Sequence, residues 1–267
     1  MGVAMLGSVG ALRRDGAEAL IRRFKDLGVD REDELQALLT LIKAKRRVER
    51  GEDIVRVGSS LSCLTVLLTG LACRYRMIEN GRRQIFTFQY PGDLCDFDRY
   101  ILPEGEDAVA ALTNCSVGII AHEDIGKVTA KHPRLRLALW RAAMIEAGIF
   151  RERLLNVSQR PALPRIANLL AEQMVRLEAI GVSGAVIPMT QVDLADAASL
   201  SPVHMNRTVQ DLRELGVLSK STHAIEVVHR ERLMDLGKFD GRYLNASFGL
   251  QRHARSIAIE MSDPIGF

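Results

Sequence analysis

Residues Thr190–Leu218 read TQVDLADAASLSPVHMNRTVQDLRELGVL. Two runs with helical spacing flank the break Ser199-Leu200-Ser201. The spacing predicts a short helix over Asp193–Ala198 and a second over Pro202–Leu215. Ser201 is suited to cap the second, because its hydroxyl can satisfy an orphan N–H of the first turn. Pro202 then occupies the first helical position, where a missing N–H costs nothing. Leu194, Ala197, Leu200, Met205, Val209 and Leu212 fall on one shared apolar interior. This is the helix-turn-helix layout. In DNA-binding versions the first residues of the second helix meet base edges in the major groove. The candidates are Ser201, Pro202, Val203, His204, Asn206 and Arg207. Arginine reads guanine bidentately, asparagine can read adenine, and an apolar tip can touch a thymine methyl. A plain helical hairpin with solvated polar side chains carries the same pattern. The stretch GVLSKSTHAIEVV that follows weighs against it. It reads as two short strands with a turn over Lys220, Ser221, Thr222 and His223, a wing suited to phosphate contacts that position without specifying sequence.

Upstream, Arg165–Ile180 is amphipathic and is stopped by Gly181 and Gly184; GVSGAVIPM then forms a linker or short strand. SQRPALPR precedes it and reads as a hinge, since Pro161 and Pro164 do not continue a helix. Helix also follows His132-Pro133. There Trp140, Ala143, Ala147, Phe150, Leu154 and Val157 recur at alternating steps of three and four. That is a narrow heptad seam flanked by Arg141, Glu146, Arg151 and Glu152, as a two-fold dimer helix requires. A helix lying on its own core is the alternative. The first 48 residues hold two helical patches, Ala17–Leu27 and Arg31–Arg47. From Val48 the period changes to short runs rich in β-branched and aromatic residues, punctuated by Gly51, Gly70, Asn80-Gly81 and Pro91-Gly92. The Asn-Gly pair signals a hairpin. With AVAALTNCSVGIIA the region makes a small all-β barrel or roll.

The 267 residues suffice for one large or two ordinary domains. A net charge of +3 suits an anionic partner without requiring one. No basic leader with a long apolar run opens the sequence, and no uncharged run is long enough to span a bilayer. The expected setting is therefore the cytoplasm. Cys63, Cys73, Cys95 and Cys115 are scattered without a CxxC pair, so buried thiols are expected, with redox sensing or iron–sulfur ligation as alternatives. No phosphate-binding glycine loop, GxSxG or HExxH occurs, and AHED at 121–124 reads as a surface turn, so the expectation is no enzyme, no metal and no cofactor.

The chain resembles the Crp/Fnr-type transcription regulators. The resemblance runs from about Asp30 to Arg242 and rests on GEDI, LLTGLACRYRMIENGRRQIFTFQYPGDLCDF, RIANLLAEQM and the quoted stretch, in that order. It implies an α+β chain: a β-roll sensor of the cyclic-nucleotide-binding type with N-terminal helices (1–132), a dimerisation helix (133–159), a winged helix-turn-helix (160–245) and a tail of unassigned role (246–267). It implies a homodimer on a near-palindromic duplex DNA site, with RNA polymerase as a further partner. Arg207 matches the family's guanine-reading arginine. Val203 stands where its best-known branches carry a base-reading glutamate, so the half-site should differ. The sensor departs further. Gly92 is followed by Asp93 where cyclic-nucleotide binders carry Gly-Glu, and Glu106 and Asp107 lie where an arginine should grip the cyclic phosphate. Carboxylates repel a phosphate, so gating by cyclic nucleotide is not expected. No cysteine precedes Cys63, unlike the branch with an oxygen-sensing cluster. Haem ligation by His122, His132 or the cysteines, an unidentified effector in the roll, and a non-DNA-binding interaction dimer stay open as alternatives.

Overall fold

The computed structural model describes residues 16–59, 62–79, 81–102, 105–182, 186–221 and 225–244. Two short helices open it, α1 (Gly16–Asp26) and α2 (Glu32–Thr40). Seven strands follow: β1 (Ala44–Val48), β2 (Asp53–Val55), β3 (Cys63–Thr69), β4 (Ala72–Met77), β5 (Arg83–Gln89), β6 (Ala108–Ala111) and β7 (Cys115–Ala121), with helix α3 (Phe97–Ile101) between β5 and β6. They form an antiparallel three-stranded sheet, β1-β7-β3, and an antiparallel four-stranded one, β2-β6-β4-β5. The second helical patch expected from the sequence stops at Thr40, and Ala44–Val48 is a sheet edge paired with β7. The Lys43–Arg47 stretch is basic with no apolar period, so nothing holds it helical. β4 and β5 pair antiparallel as the expected hairpin requires, with Gly81 at φ +76; Asn80 lies outside the described residues.

Period-two alternation sends neighbouring β4 residues to different cores. Ala72 joins Val55, Val109 and Val117 inside the roll. Cys73 faces outward with Ile85, Phe88 and Tyr90, against the C-terminal half of the chain. A third core, built from Leu20, Phe24, Leu64, Leu135, Ala138, Ile145 and Ile149, binds the N-terminal helices to the roll and to the central helix.

Helix α4 (His122–Lys131) already begins within AHED, so His122, Glu123 and Asp124 form its first turn rather than a loop. The 27-residue helix α5 (Pro133–Gln159) follows with proline in its first turn. It ends at Arg160, and α6 (Ala162–Ala179) starts at once. Pro161 is its N-cap and Pro164 sits inside its first turn, not before the helix as the hinge reading had it. First-turn amides have no intrahelical acceptor, so this proline breaks nothing. Next come β8 (Val186–Ile187), α7 (Gln191–Ala198), α8 (Pro202–Glu214), β9 (Ile225–Glu226), α9 (Arg230–Gly237) and a 3-10 turn, Gly241–Leu244.

Glu172 of α6 is 1 % exposed. Its Oε1 accepts from Arg153 Nη2 of α5 at 3.1 Å and from Gln173 Nε2 at 2.9 Å, and its Oε2 accepts from the Tyr243 phenol at 3.0 Å. Tyr90 of the roll donates to Gln173 at 2.7 Å. Roll, central helix, α6 and C-terminal turn therefore share one buried polar hub.

Gly237 packs α9 against α6. A Cβ there would lie 2.5 Å from the Asn168 backbone nitrogen, and backbone cannot step aside. Gly237→Ala should lose about 1–3 kcal/mol of stability by overpacking. A denaturant midpoint equal to that of the parent protein would show that these helices are not so close.

Candidate nucleic-acid interface

The reader is assembled from its caps. Thr190 and Asp193 form a reciprocal capping box at the start of α7: Thr190 Oγ1 accepts from the Asp193 N–H at 3.1 Å, and Asp193 Oδ2 accepts from the Thr190 N–H at 3.3 Å. Ser199 ends α7 in the left-handed region at φ 55, which turns the chain sharply. Ser201 then caps α8, accepting from the His204 N–H at 3.3 Å. Leu194, Ala197, Leu200, Met205, Val209 and Leu212 are all buried, as the spacing requires. Thr208, also on the inner face, donates to the His204 carbonyl at 2.9 Å.

That packing turns Ser201, Pro202, Val203, His204, Asn206 and Arg207 outward. Val203 is 81 % exposed at the tip. Arg207 makes no side-chain hydrogen bond or ion pair among the described residues. The first turn of α8 carries no acid. The positive dipole end of the helix faces solvent beside His204 and Arg207, an electrostatic setting that suits an anionic partner. Asn206 Nδ2 donates to Gln191 Oε1 at 3.4 Å. Gln191 is a surface residue that sequence reading missed. The capping box would have pointed to it, since it fixes Gln191 in the first turn of α7.

Gly216, at φ +69, lets the chain leave α8. The wing is a narrow hairpin: Ser219 N–H donates to Glu226 O at 2.8 Å, Val228 N–H to Val217 O at 2.9 Å, and Leu218 bridges Val227. Buried Arg213 donates to the Ser221 carbonyl at 2.7 Å and holds the ascending arm. Lys220 is exposed on that arm. Thr222 and His223 lie outside the described residues.

A second unforeseen feature ties the reader to the roll. Arg83, at the start of β5, meets Asp193 at 2.7 Å through Nη2 and Asp196 at 2.8 Å through Nε. Ser199 Oγ donates to Gln84 Oε1 at 2.7 Å. The first reader helix is thus clasped by the hairpin of the sensor.

In the sensor, two buried arginines are bonded to the chain itself. Buried Arg74 donates to Cys95 O at 3.0 Å and to Asp98 at 2.9 and 3.0 Å, and pairs with Glu146 of α5 at 3.3 Å. Arg99 donates to Arg56 O at 2.9 Å and to Ser59 Oγ at 2.9 Å. Glu106 and Asp107 face Arg76, at 2.7 and 2.8 Å. Burial pushes the Asp96 carboxyl up to about 6 and the Cys73 thiol up to about 12, and raises Cys95 and Cys115 too. Raised thiols are poor nucleophiles. His122 packs edge-on against Tyr100 at 5.0 Å, and His132 Nδ1 is 4.0 Å from Glu34, so the two histidines serve different packing sites.

Along α5, Leu135, Ala138, Leu139, Ile145 and Ile149 face the core, while Trp140 (61 %) and Leu154 (66 %) stay exposed. Ala143, Ala147 and Val157 lie half-buried on the seam. Phe150 stands at its edge, with its ring 6.4 Å from Phe86. Leu137, Met144 and Leu155 widen the exposed apolar stripe beyond the six residues read from the heptad. Among the described residues no helix is long and apolar enough to cross a membrane.

Two family models match the chain: the cyclic nucleotide-binding domain over residues 45–132 and the Crp-like helix-turn-helix domain over 164–236. The anaerobic regulatory protein of Pasteurella multocida is 27 % identical over 207 residues, which span 77 % of this chain and 76 % of that protein. The fumarate and nitrate reduction regulatory protein of Vibrio cholerae is 26 % identical over 207 residues, 77 % of this chain and 83 % of that one. Among solved structures, FixK2 from Bradyrhizobium japonicum shares the fold at a TM-score of 0.63 and 22 % identity, covering 72 % of this chain and 96 % of FixK2. The c-di-GMP responsive global regulator CLP of Xanthomonas campestris does so at 0.63 and 14 %, covering 74 % and 100 %. Sensor model, reader model and their order along one α+β chain agree with relatives that are transcription regulators rather than enzymes, and the chain belongs to the Crp/Fnr type of DNA-binding transcription regulator.

Proposed function

We propose that the chain works as a homodimer on a near-palindromic duplex site, without gating by cyclic nucleotide. The observation that carries this reading is the outward face at the start of α8, with an acid-free first turn that holds Val203 and a second turn that holds Asn206 and Arg207. Arg207 would read guanine and Asn206 adenine, and Val203 would contact a thymine methyl. Ser201, Pro202 and His204 would frame the groove, and Lys220, Thr222 and His223 of the wing would contact phosphate. Trp140, Ala143, Ala147, Phe150, Leu154 and Val157 would close on a second copy of α5, burying the exposed stripe. Half-sites would then fall about one helical turn apart. The Arg76-bound Glu106 and Asp107 support independence from cyclic nucleotide, because a cyclic phosphate there would have to displace two carboxylates. A regulator of this kind acts in the cytoplasm through RNA polymerase, which we include as a partner.

Selection of random duplexes by the purified protein, with no added ligand, tests the reading. An enriched palindrome is expected; salt-sensitive binding with no enrichment would overturn it. Arg207→Ala should lose about 1–3 kcal/mol of specific affinity and relax preference at one base pair per half-site. An equal loss on every sequence would move Arg207 to phosphate. Lys220→Ala should weaken all duplexes alike and lower the salt slope by about one; an unchanged slope would take the wing out of the interface. Phe150→Glu places a charge on the seam and should yield a monomer by light scattering, whereas a persistent dimer would locate the interface elsewhere.

A further inference from the structure

A cavity of about 200 Å³ lies outside the roll, where four parts of the chain meet. Its wall takes Arg22 and Arg23 from α1, Ile149 from α5, Arg176 from α6, Ile180 just after it, and Leu244 from the C-terminal turn. Asp93 and Asp26 complete its charges. Three guanidinium groups thus face two carboxylates, and the rest of the wall is mostly hydrocarbon.

The three arginines are not equally committed. Asp93 accepts from Arg176 Nη2 at 3.0 Å and from the Tyr90 N–H at 3.0 Å, and it pairs with Arg23 Nε at 3.1 Å. Arg176 also lies 4.7 Å over the Tyr90 ring. Asp93 thus serves both Arg23 and Arg176, and Arg176 has a second, longer ion pair with Glu172 Oε1 at 3.8 Å. Arg22 has a weaker partner, the exposed Glu18, at 3.6 Å. Its guanidinium lies over Gly181, where a Cβ would stand 1.9 Å from Nη1. Gly181 is at φ +76, so the backbone there both favours glycine and leaves the space that Arg22 enters. An arginine whose ion pair is long and solvent-exposed, at the edge of a mostly apolar cavity between domains, is a feature a small-ligand site can use. An arginine fork matches a carboxylate head.

We propose that this cavity binds a small aliphatic carboxylate, its head on Arg22 and Arg23 and its chain along Ile149, Ile180 and Leu244. Ligand pockets commonly span about 300–1,000 Å³, so the occupant here is at the small end. It would touch the N-terminal helix, the central helix, the reader and the C-terminal turn at once. Binding would favour this arrangement of the parts by mass action. Only that regulatory consequence rests on the DNA-binding reading; the site itself does not.

Calorimetric titration of the full chain with sodium octanoate tests the site, with octan-1-ol as the uncharged comparison. One octanoate per chain is expected, with octanol weaker by at least about tenfold, the worth of a charge-assisted hydrogen bond. Arg22→Gln should weaken octanoate by a similar factor. Ala179→Leu, on the exposed rim of α6 and safe for the helix, should weaken both probes by narrowing the mouth. No octanoate binding to the parent protein, equal affinity for octanol, or indifference to both substitutions would overturn the proposal. Duplex binding measured in parallel without octanoate keeps the two readings apart. Lost DNA selectivity with octanoate binding intact would sink the regulator reading alone; the reverse would sink the cavity alone.

Discussion

Glu172 is a carboxylate with no access to water, and such a group is tolerated only where cations and donors surround it. Arg153 reaches it from the central helix, Tyr243 from the C-terminal turn and Gln173 from the next position on α6, with Tyr90 of the roll behind. Withdrawing Arg153 would break the buried ion pair, at a cost of about 3–5 kcal/mol. The orientation of the reader relative to the sensor is therefore fixed by chemistry as well as by the apolar core they share. Arg83 adds a more exposed tie to the same interface, from a hairpin at the sensor edge to two carboxylates of α7.

What the sequence disclosed, it disclosed through local rules. The cap at Ser201, the turn from Ser199 to Ser201, the glycine at 81 and the apolar periods of α6, α7 and α8 are each settled within a few residues, and the reader was legible from them; the capping box at Thr190, which starts α7 at Gln191 rather than Asp193, was not read. Boundaries suffered where local signals were silent or ambiguous. Lys43–Arg47 has no period of either kind, and only its partner strand makes it β. Pro164 reads as a breaker unless its place in the first turn is known. The Arg83 clasp and the Glu172 hub escaped altogether. Asp193 and Asp196 have the look of an ordinary solvated helix face, and their partner lies 110 and 113 positions away. Tyr243 sits in a short segment with no period at all. Contacts of that range depend on the completed fold, and one sequence carries no sign of them.

The sensor shows how a scaffold can keep its shape while its interior changes occupation. Arg74 pairs with Asp98 and Glu146 beside the roll, and Arg99 separately binds the Arg56 carbonyl and Ser59. A network of this kind is rigid when complete and costly when partly broken. The three buried thiols are packed in the same way, as small apolar fillers whose burial keeps them protonated.

Strand β1 is the outer rail of its sheet, and four of its five residues are exposed. An open rail of this sort offers unpaired backbone groups to any other extended chain. Here Lys45, Arg46 and Arg47 stand in succession along it. Two copies meeting rail to rail would bring six positive charges together before a single ladder bond could close. Charge of this kind on an edge strand opposes edge-to-edge pairing of two copies.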